Sequence, residues 1–172
     1  MEDAERLFRS YHEMLVRYLT RRLGDRDWAE EVAQETFVRA LRQERLTNER
    51  AWLFTVANNL VRDEARKDAR RRHRLALLRK ETRDAVVEPE PTSLERSQDA
   101  AMARTAVNAL AERDRLALLM REEGLKYEEI AQALHLSVGS VGTTLARARR
   151  RLVEQYESLR DAQRGREGHA AS

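Results

Sequence analysis

Small hydroxyl side chains and arginines follow one another in the stretch YEEIAQALHLSVGSVGTTLARARRRL, residues 127–152. Hydroxyl and guanidinium groups both donate hydrogen bonds to phosphate oxygens and to the edges of bases. These residue types in this order therefore indicate DNA binding as the chemistry of the stretch. The candidate contacts are Ser137, Ser140, Thr143, Thr144, Arg147 and Arg150.

The apolar residues of this stretch predict two helices joined at an LHLS corner, as in a helix-turn-helix. Val141, Leu145, Ala148 and Leu152 are 4, 3 and 4 residues apart, so they share one face of the second helix. Ser137 is suited to cap that helix, and hydroxyl and arginine side chains then lie on the opposite face. On this pattern alone, a plain helical hairpin with a solvated, charged end is the alternative.

The composition of the chain favours an all-α fold without an enzyme active site. Of its 172 residues, 37% are charged and 41% hydrophobic, with only 6 Gly and 2 Pro. The remainder is rich in strong helix formers. The chain has no cysteine, its four histidines lack the spacing of metal ligands, and no phosphate-binding glycine loop is present. We therefore expect no catalysis, no cofactor and no metal.

Charge is distributed in blocks, although the formal net charge is only +3. Residues 62–80 hold nine Arg or Lys against three acids, and residues 81–99 hold six acids against two arginines. A second basic cluster follows at 147–151. Basic blocks separated by an acidic spacer favour two surfaces that face polyanions. The alternative is that these are solvated helix faces.

The pattern along the chain predicts two small helical domains joined by a flexible linker. Three apolar stripes at helical spacing in the first part of the chain are typical of a small bundle. Both prolines lie in the acidic stretch VVEPEPTS, which interrupts helical structure. The predicted boundaries are a helical domain at 1–81, a linker at 82–97, a helix-turn-helix domain at 98–160 and a disordered tail at 161–172.

The sequence predicts a cytoplasmic protein without membrane insertion. No apolar run approaches the roughly 20 residues that a membrane-spanning helix needs. The N-terminal stretch MEDAERLFRS is acidic and amphipathic, unlike a secretory signal.

Three stretches of the sequence resemble the signature segments of bacterial RNA polymerase sigma factors. They are AEEVAQETFVRAL (29–41), AWLFTVANNLVRDEARK (51–67) and EEGLKYEEIAQALHLSVGSVGTTLARARRRL (122–152). The resemblance is to the short extracytoplasmic-function (ECF) group, which keeps only conserved regions 2 and 4. It covers most of both predicted domains in the expected order. It implies a subunit that binds core RNA polymerase, recognises the −10 and −35 promoter elements and promotes DNA melting.

The resemblance assigns the N-terminal domain to region 2. Its second helix would dock on the largest polymerase subunit, through an acidic strip suited to a basic partner: Asp27, Glu30, Glu31, Gln34 and Glu35. Its third helix and the loop before it would hold the melted −10 strand through Asn48, Trp52, Thr55, Asn59, Arg62 and Arg66. Aromatic rings stack on unpaired bases and arginines hold phosphates. The alternatives are a solvated acidic face and a core or interface role for Trp52.

The resemblance assigns the C-terminal domain to region 4, which would bind the −35 element as duplex DNA through the helix from Ser137 onward. The sequence departs from the usual pattern at three places. His135 stands at the usual turn glycine, Lys126 at the usual capping serine, and SVGTTL lacks the usual early basic residues. We expect weaker or differently specified −35 recognition, with affinity resting on Arg147, Arg149 and Arg150.

Two other functions fit parts of the pattern. One is a stand-alone helix-turn-helix transcriptional regulator, and the other is a helical adaptor whose basic faces bind acidic proteins. An aromatic, Asn and Arg face beside an acidic docking helix favours the sigma factor over both. The expected partners are core RNA polymerase, promoter DNA as duplex and as melted single strand, and an anti-sigma factor of the kind common in the family.

Overall fold

Helices make up the secondary structure of the part of the chain that the structure describes. The computed structural model describes residues 2–76 and 94–170, and within these ranges it contains seven helices and no strand. They are α1 (Glu2–Leu23), α2 (Arg26–Leu41), α3 (Glu49–Ala76), α4 (Leu94–Asn108), α5 (Glu112–Glu122), α6 (Tyr127–Leu134) and α7 (Val138–Ala170). The predicted all-α fold class is confirmed. The predicted linker lies outside the described residues up to position 93, and positions 94–97 belong to α4.

The described chain separates into two compact units. One contains residues 2–76 and 119–138, and the other contains residues 94–118 and 139–170. The sequence-based boundaries placed 119–138 in the C-terminal domain, so this grouping differs from the predicted partition. It differs because α6 packs against α3 in the first unit.

An apolar core between α1, α2 and α3 holds the first unit together. Tyr18 and Leu19 of α1 and Leu53 and Phe54 of α3 are fully buried. The rings of Tyr18 and Phe54 lie 4.8 Å apart between centroids. The Tyr18 hydroxyl donates to Oδ1 of the buried Asn58 at 2.8 Å, which gives the polar end of this core aromatic a partner.

Local sequence signals set where α2 and α3 begin. Asp25 caps α2, since its Oδ1 accepts from the amide of Trp28 at 3.0 Å. Gly24 before it has φ 71°, the left-handed conformation common where a helix ends. Asn48 precedes α3 with φ 56°, and its carbonyl accepts from the amide of Trp52 at 2.9 Å. Asparagine is among the few non-glycine residues enriched in this region of backbone space.

The predicted corner after α6 is closed by a left-handed residue. His135 has φ 55° and ψ 45°, a conformation that glycine adopts without a steric penalty and histidine only with one. The amide of Leu136 donates to the carbonyl of Ala131 at 2.9 Å. At the other end of α6, the amide of Lys126 donates to Oε1 of Glu129 at 2.9 Å. His135 and Lys126, the two departures from the usual sequence pattern, are therefore compatible with a short α6 that has hydrogen bonds closing both ends.

The second unit has its own apolar core. Its buried residues include Ala106, Leu110, Leu116, Val141 and Leu145. α7 continues to Ala170, whereas a disordered tail was predicted for 161–172, of which 171–172 lie outside the described residues. No proline interrupts this stretch, and Nε2 of Gln163 donates to Oε1 of Gln98 in α4 at 3.2 Å. The structure therefore differs from that expectation at 161–170, because polar composition alone does not end a helix.

Candidate nucleic-acid interface

The predicted single-strand contacts of α3 follow one face of the helix: Trp52, Thr55, Asn59, Arg62 and Arg66. Trp52 is half-buried, so the residue is not enclosed in the core. The hydroxyl of Thr55 donates to the carbonyl of Ala51 at 2.7 Å, within its own helix. Arg62 and Arg66 are exposed and extend the face by two further turns. The arrangement offers a stacking surface followed by cations, as single-strand binding needs.

Asn48, the sixth predicted −10 contact, is exposed at the start of α3. It lines an open cleft with residues from around α1, α3 and α6: Tyr11, Glu49, Arg50, Lys126, Glu128, Glu129 and Gln132. Oε2 of Glu49 accepts from Nη1 of Arg6 at 3.1 Å, and this hydrogen bond is the main reason that the pKa of Glu49 lies below its usual value. Glu49 is therefore charged at neutral pH and adds negative charge at one side of the cleft.

The predicted −35 contacts of α7 divide into accessible and inaccessible side chains. Thr143 and Arg150 are exposed. Thr144 is buried, and its hydroxyl donates to the carbonyl of Ser140 at 2.8 Å. Thr144 is therefore not available to DNA in this structure, because it lies on the flank of α7 beside Leu145. Ser140 is half-buried and Ser137 is exposed at the turn before α7.

Arg147 is held by an acidic residue that the sequence reasoning missed. Its Nε and Nη2 lie 3.1 and 2.5 Å from the two carboxylate oxygens of Asp114, and Nη1 of Arg151 lies 3.7 Å from Oδ2. Asp114 is buried, and the hydrogen bond from Arg147 is the first cause of its lowered pKa. Arg147, predicted to neutralise phosphate, thus has a position-fixing partner. The only sequence signal was an acid within the apolar stripe of α5.

The predicted acidic strip lies on α2. Asp27, Glu31, Gln34 and Glu35 are exposed, and Glu30 is half-buried. Nε of Arg39 donates to Oε1 of Glu35 at 2.8 Å, and Nε2 of His12 lies 3.4 Å from Oε2 of Glu30. Glu31 is therefore more accessible than Glu30 and Glu35, which lie beside His12 and Arg39.

Apolar residues continue the acidic strip toward the end of α2. Val38 and Leu41 are 42% and 61% exposed, and they follow Asp27, Glu31 and Gln34 at alternating spacings of 3 and 4, which places all five on one face. Ala40 fills the buried position beside Leu41. Exposed side chains of this size are typical of a protein-binding surface when they adjoin one another.

Comparison with known proteins identifies the family. Sigma-70 region 2 matches residues 7–71 and sigma-70 region 4 matches residues 100–152. The RNA polymerase sigma factor YlaC of Bacillus subtilis is 30% identical over 171 residues, which are 95% of this chain and 97% of that protein. The chain belongs to the RNA polymerase sigma factor family. Sigma factors are transcription initiation factors rather than enzymes, and this one serves promoter recognition and transcription initiation.

Further relatives place this sigma factor in the ECF group. The ECF RNA polymerase sigma factor BldN of Streptomyces coelicolor is 32% identical over 155 residues, 86% of this chain and 58% of that protein. A solved structure of the sigma factor RpoE from Bartonella quintana, in complex with the anti-sigma factor NepR, has the same fold with a TM-score of 0.68. It is 23% identical, and the similarity covers 91% of this chain and 98% of that one.

Two kinds of site are missing from the described ranges. No three His, Asp or Glu side chains there are grouped so that they could hold a metal ion. None of the helices described is both long and apolar enough to span a bilayer.

Proposed function

We propose that this sigma factor holds the melted −10 strand on the face of α3 that begins at Asn48 and Trp52. The half-buried Trp52 offers a base a stacking partner, and Asn59 offers an amide for a base edge. Extruding a base costs a few kcal/mol, which stacking and pocket contacts must offset. Arg62 and Arg66 then follow the phosphates of the same strand, and the exposed Arg70 extends that track.

Core RNA polymerase binds, in this proposal, to the outward face of α2. Asp27, Glu31 and Gln34 provide polar and negatively charged groups for a basic partner, while Glu30 and Glu35 lie at its edges. Val38 and Leu41 extend the same face with apolar area, so the surface combines electrostatic attraction with burial of apolar side chains. This combination favours docking over a merely solvated acidic face.

Duplex DNA of the −35 element binds, in this proposal, to the first turns of α7. Thr143 and Arg150 are the exposed candidates for base and phosphate contacts, with Arg149 beside them and Ser137 and Ser140 at the start of the helix. Thr144 and Arg147 are not direct DNA contacts in this proposal, because Thr144 is buried and the guanidinium group of Arg147 is paired with Asp114. With few base-reading side chains, the −35 contribution is mainly electrostatic and depends on salt.

The observation that carries the proposal is the accessible Trp52 face of α3 in the same unit as the exposed strip of α2. A stand-alone helix-turn-helix regulator has no use for either surface. The test is to select DNA from a random pool with the chain and core RNA polymerase together. Trp52→Ala is expected to abolish the preference at the downstream element, and Thr143→Ala to weaken it at the upstream element. Selection of one duplex motif without polymerase would instead support the regulator.

We also infer that the chain works in the cytoplasm, where core polymerase and promoter DNA are found, and that it acts without chemistry of its own. An anti-sigma factor is a further proposed partner. RpoE of Bartonella quintana, which shares the fold, was solved with the anti-sigma factor NepR. Co-purification of the chain from its own cells, with identification of bound proteins, tests this partner.

A further inference from the structure

An ion pair ties the start of α3 to α1. Glu49 is the first residue of α3. Its Oε2 accepts from Nη1 of Arg6 at 3.1 Å, and its Oε1 accepts from Nη2 of the same arginine. A two-point contact between a guanidinium group and a carboxylate fixes direction as well as distance. The two residues are 43 positions apart, so the pair links two helices that the chain itself connects only through α2 and the loop of residues 42–48.

Tyr11 of α1 lies beside the same carboxylate. The pKa of Tyr11 is raised, first by burial and then by the negative charge of Glu49. The pKa of Glu49 is lowered, mainly by the hydrogen bond from Arg6 and to a smaller extent by one from the Tyr11 hydroxyl. Two side chains of α1 therefore converge on one ionised carboxylate of α3. We call Arg6, Tyr11 and Glu49 the α1–α3 clamp.

The clamp lies where the chain enters the proposed −10 surface. Glu49 follows Asn48, whose left-handed backbone, with φ 56°, turns the loop into α3. The carbonyl of Asn48 accepts from the amide of Trp52 at 2.9 Å. Successive residues of a helix are about 100° apart, so Glu49 lies on the flank of the face that carries Trp52, Thr55 and Asn59. The clamp can therefore hold the start of α3 without occupying the surface offered to bases.

An open cleft lies between α1 and the loop that precedes α3. Leu7 of α1, Leu41 of α2 and Leu46 of the loop line this cleft together with Arg6 and Glu49. Leu46 is half-buried, whereas residues 42–45 and 47 are exposed. Because the cleft is open, continuous packing against α1 does not fix the loop there. The side-chain bridge from Arg6 to Glu49 fixes its end instead.

The clamp is too exposed to contribute much to the stability of the fold. The side chains of Arg6 and Glu49 are 53% and 24% exposed, and ion pairs in contact with water contribute little to folding. The Glu49 carboxylate is also favoured by its place at the N-terminus of α3, with or without Arg6. Loss of Arg6 should therefore release the start of α3 in a chain that still folds. A positioning role and a folding role can be told apart for this reason.

We propose that Arg6 and Tyr11 are positioning residues for −10 recognition. By holding Glu49, they fix the loop of residues 42–48 and the Asn48 side chain in the orientation in which the α3 face discriminates between bases. Neither residue touches DNA. Hydrogen bonds to base edges are lost when a donor or acceptor is displaced or turned away, so discrimination depends on groups that are held in place. This inference rests on the proposed function and adds residues outside the α3 face that determine its specificity.

DNA selection with core polymerase measures the effect on specificity. The full-length parent chain first selects a promoter from a random pool in the presence of core polymerase. Open-complex formation is then compared between that promoter and its single-base variants at the −10 element. Arg6→Ala should reduce the preference for the selected bases about three- to tenfold. Arg6→Lys, which keeps the charge but not the two-point geometry, should reduce it less, and Tyr11→Phe should also cause a smaller loss.

Arg9→Ala is the matched control, because it removes an exposed arginine of α1 that pairs with Glu5 in the same helix. It should keep the full preference. Affinity for core polymerase and the midpoint of thermal unfolding should stay close to the parent values in Arg6→Ala and Arg9→Ala. An equal loss of preference in the two variants would overturn the positioning role, because the charge of α1 in general would then explain it.

A double variant shows whether Arg6 acts through Glu49. Glu49→Gln should lose preference to a similar extent as Arg6→Ala, and combining the two should add little, because each change removes the same contact. Losses that multiply would overturn the positioning role. In that case Arg6 would act on DNA directly, and Arg6→Ala would also reduce the slope of log affinity against log salt by about 1. Positioning leaves that slope unchanged.

Loop motion in the free chain gives a readout that needs neither DNA nor polymerase. The chain has no cysteine, so a nitroxide label on a cysteine introduced at the exposed position of Thr47 reports on the loop alone. Arg6→Ala and Glu49→Gln should shift its electron paramagnetic resonance spectrum toward faster motion, and Arg9→Ala should not. Equal spectra in the parent and all three variants would overturn the clamp.

The results also separate the clamp from the function on which it rests. If Trp52→Ala loses the −10 preference while Arg6→Ala keeps it, the proposed function stands and this inference is overturned. If Arg6→Ala releases the loop in a chain that never opens a promoter with core polymerase, the clamp is a feature of the fold alone. That result would overturn both the proposed function and the role of Arg6 in specificity.

Discussion

Arg147 and Asp114 form a two-point ion pair, with Nε and Nη2 of the arginine 3.1 and 2.5 Å from the two carboxylate oxygens. The carboxylate is buried and the guanidinium group is partly exposed. The pair joins the start of α5 to the last part of the proposed recognition region of α7. Arg147 therefore contributes to −35 binding first by fixing α7, and its charge is already partly neutralised before DNA arrives.

Replacing Arg147 and Arg150 should have different consequences. Arg147→Ala removes the hydrogen bonds to the buried Asp114 and leaves it the more distant Arg151, so the midpoint of thermal unfolding should fall by several degrees. Arg150→Ala should leave that midpoint unchanged and reduce the slope of log affinity against log salt for −35 duplex by about 1. Calorimetry and a salt titration of duplex binding measure the two effects. Equal thermal losses in both variants would contradict the distinction.

The Asp114 pair predicts a pH dependence of stability. Because the hydrogen bond from Arg147 lowers the pKa of Asp114 in the folded chain, its contribution is fully present above the unfolded pKa of about 3.9 and is lost as pH falls through the folded value. The parent chain should therefore be more stable than Asp114→Asn near pH 7. The difference should shrink progressively below about pH 4.

Urea unfolding of the two proteins across that pH range measures the difference. Asp99→Asn is a suitable control, since Asp99 is exposed on α4. A difference between parent and Asp114→Asn that stays constant down to pH 2 would show that the ionised carboxylate is not responsible.

His135→Gly should stabilise the chain. The left-handed conformation of His135 costs a residue with a Cβ about 1–2 kcal/mol, and glycine avoids that cost while losing more backbone entropy on folding. A net gain of about 0.5–1 kcal/mol in the free energy of unfolding is expected. Gly124→Ala, at φ 84°, should have the opposite sign. Denaturant titration measures both, and a destabilised His135→Gly variant would show that its side chain makes a necessary contact.

Much of this fold follows from local sequence patterns. Helix positions were predictable because apolar residues recur at helical spacing. The family resemblance singled out His135, because it stands where a turn glycine is usual. The burial of Thr144 could not be predicted, since a hydroxyl near the start of a helix does not reveal which flank is buried. Nε of Arg50 donates to Oε2 of Glu129 at 2.7 Å. This ion pair could not be predicted, because the sequence does not indicate which charged residues, here 79 positions apart, become neighbours in the fold.

Charge reversal at Glu31 should weaken polymerase binding. Glu31 is exposed in the middle of the proposed docking face, so Glu31→Lys replaces attraction to a basic surface with repulsion and should raise Kd for core polymerase about tenfold or more at low salt. Glu13→Lys, which makes the same change on the exposed surface of α1, serves as the control. Fluorescence anisotropy with labelled chain measures both, and equal affinities for the two variants would remove α2 as the docking surface.

The most direct measurement is promoter opening by core RNA polymerase with and without the purified chain, followed by the permanganate reactivity of thymines around the −10 element. Thymines should become reactive only when chain and polymerase are both present, and Trp52→Ala should reduce this reactivity at equal polymerase occupancy. Thymine reactivity that does not depend on the chain, or that is unchanged by Trp52→Ala, would contradict the proposed role of the α3 face.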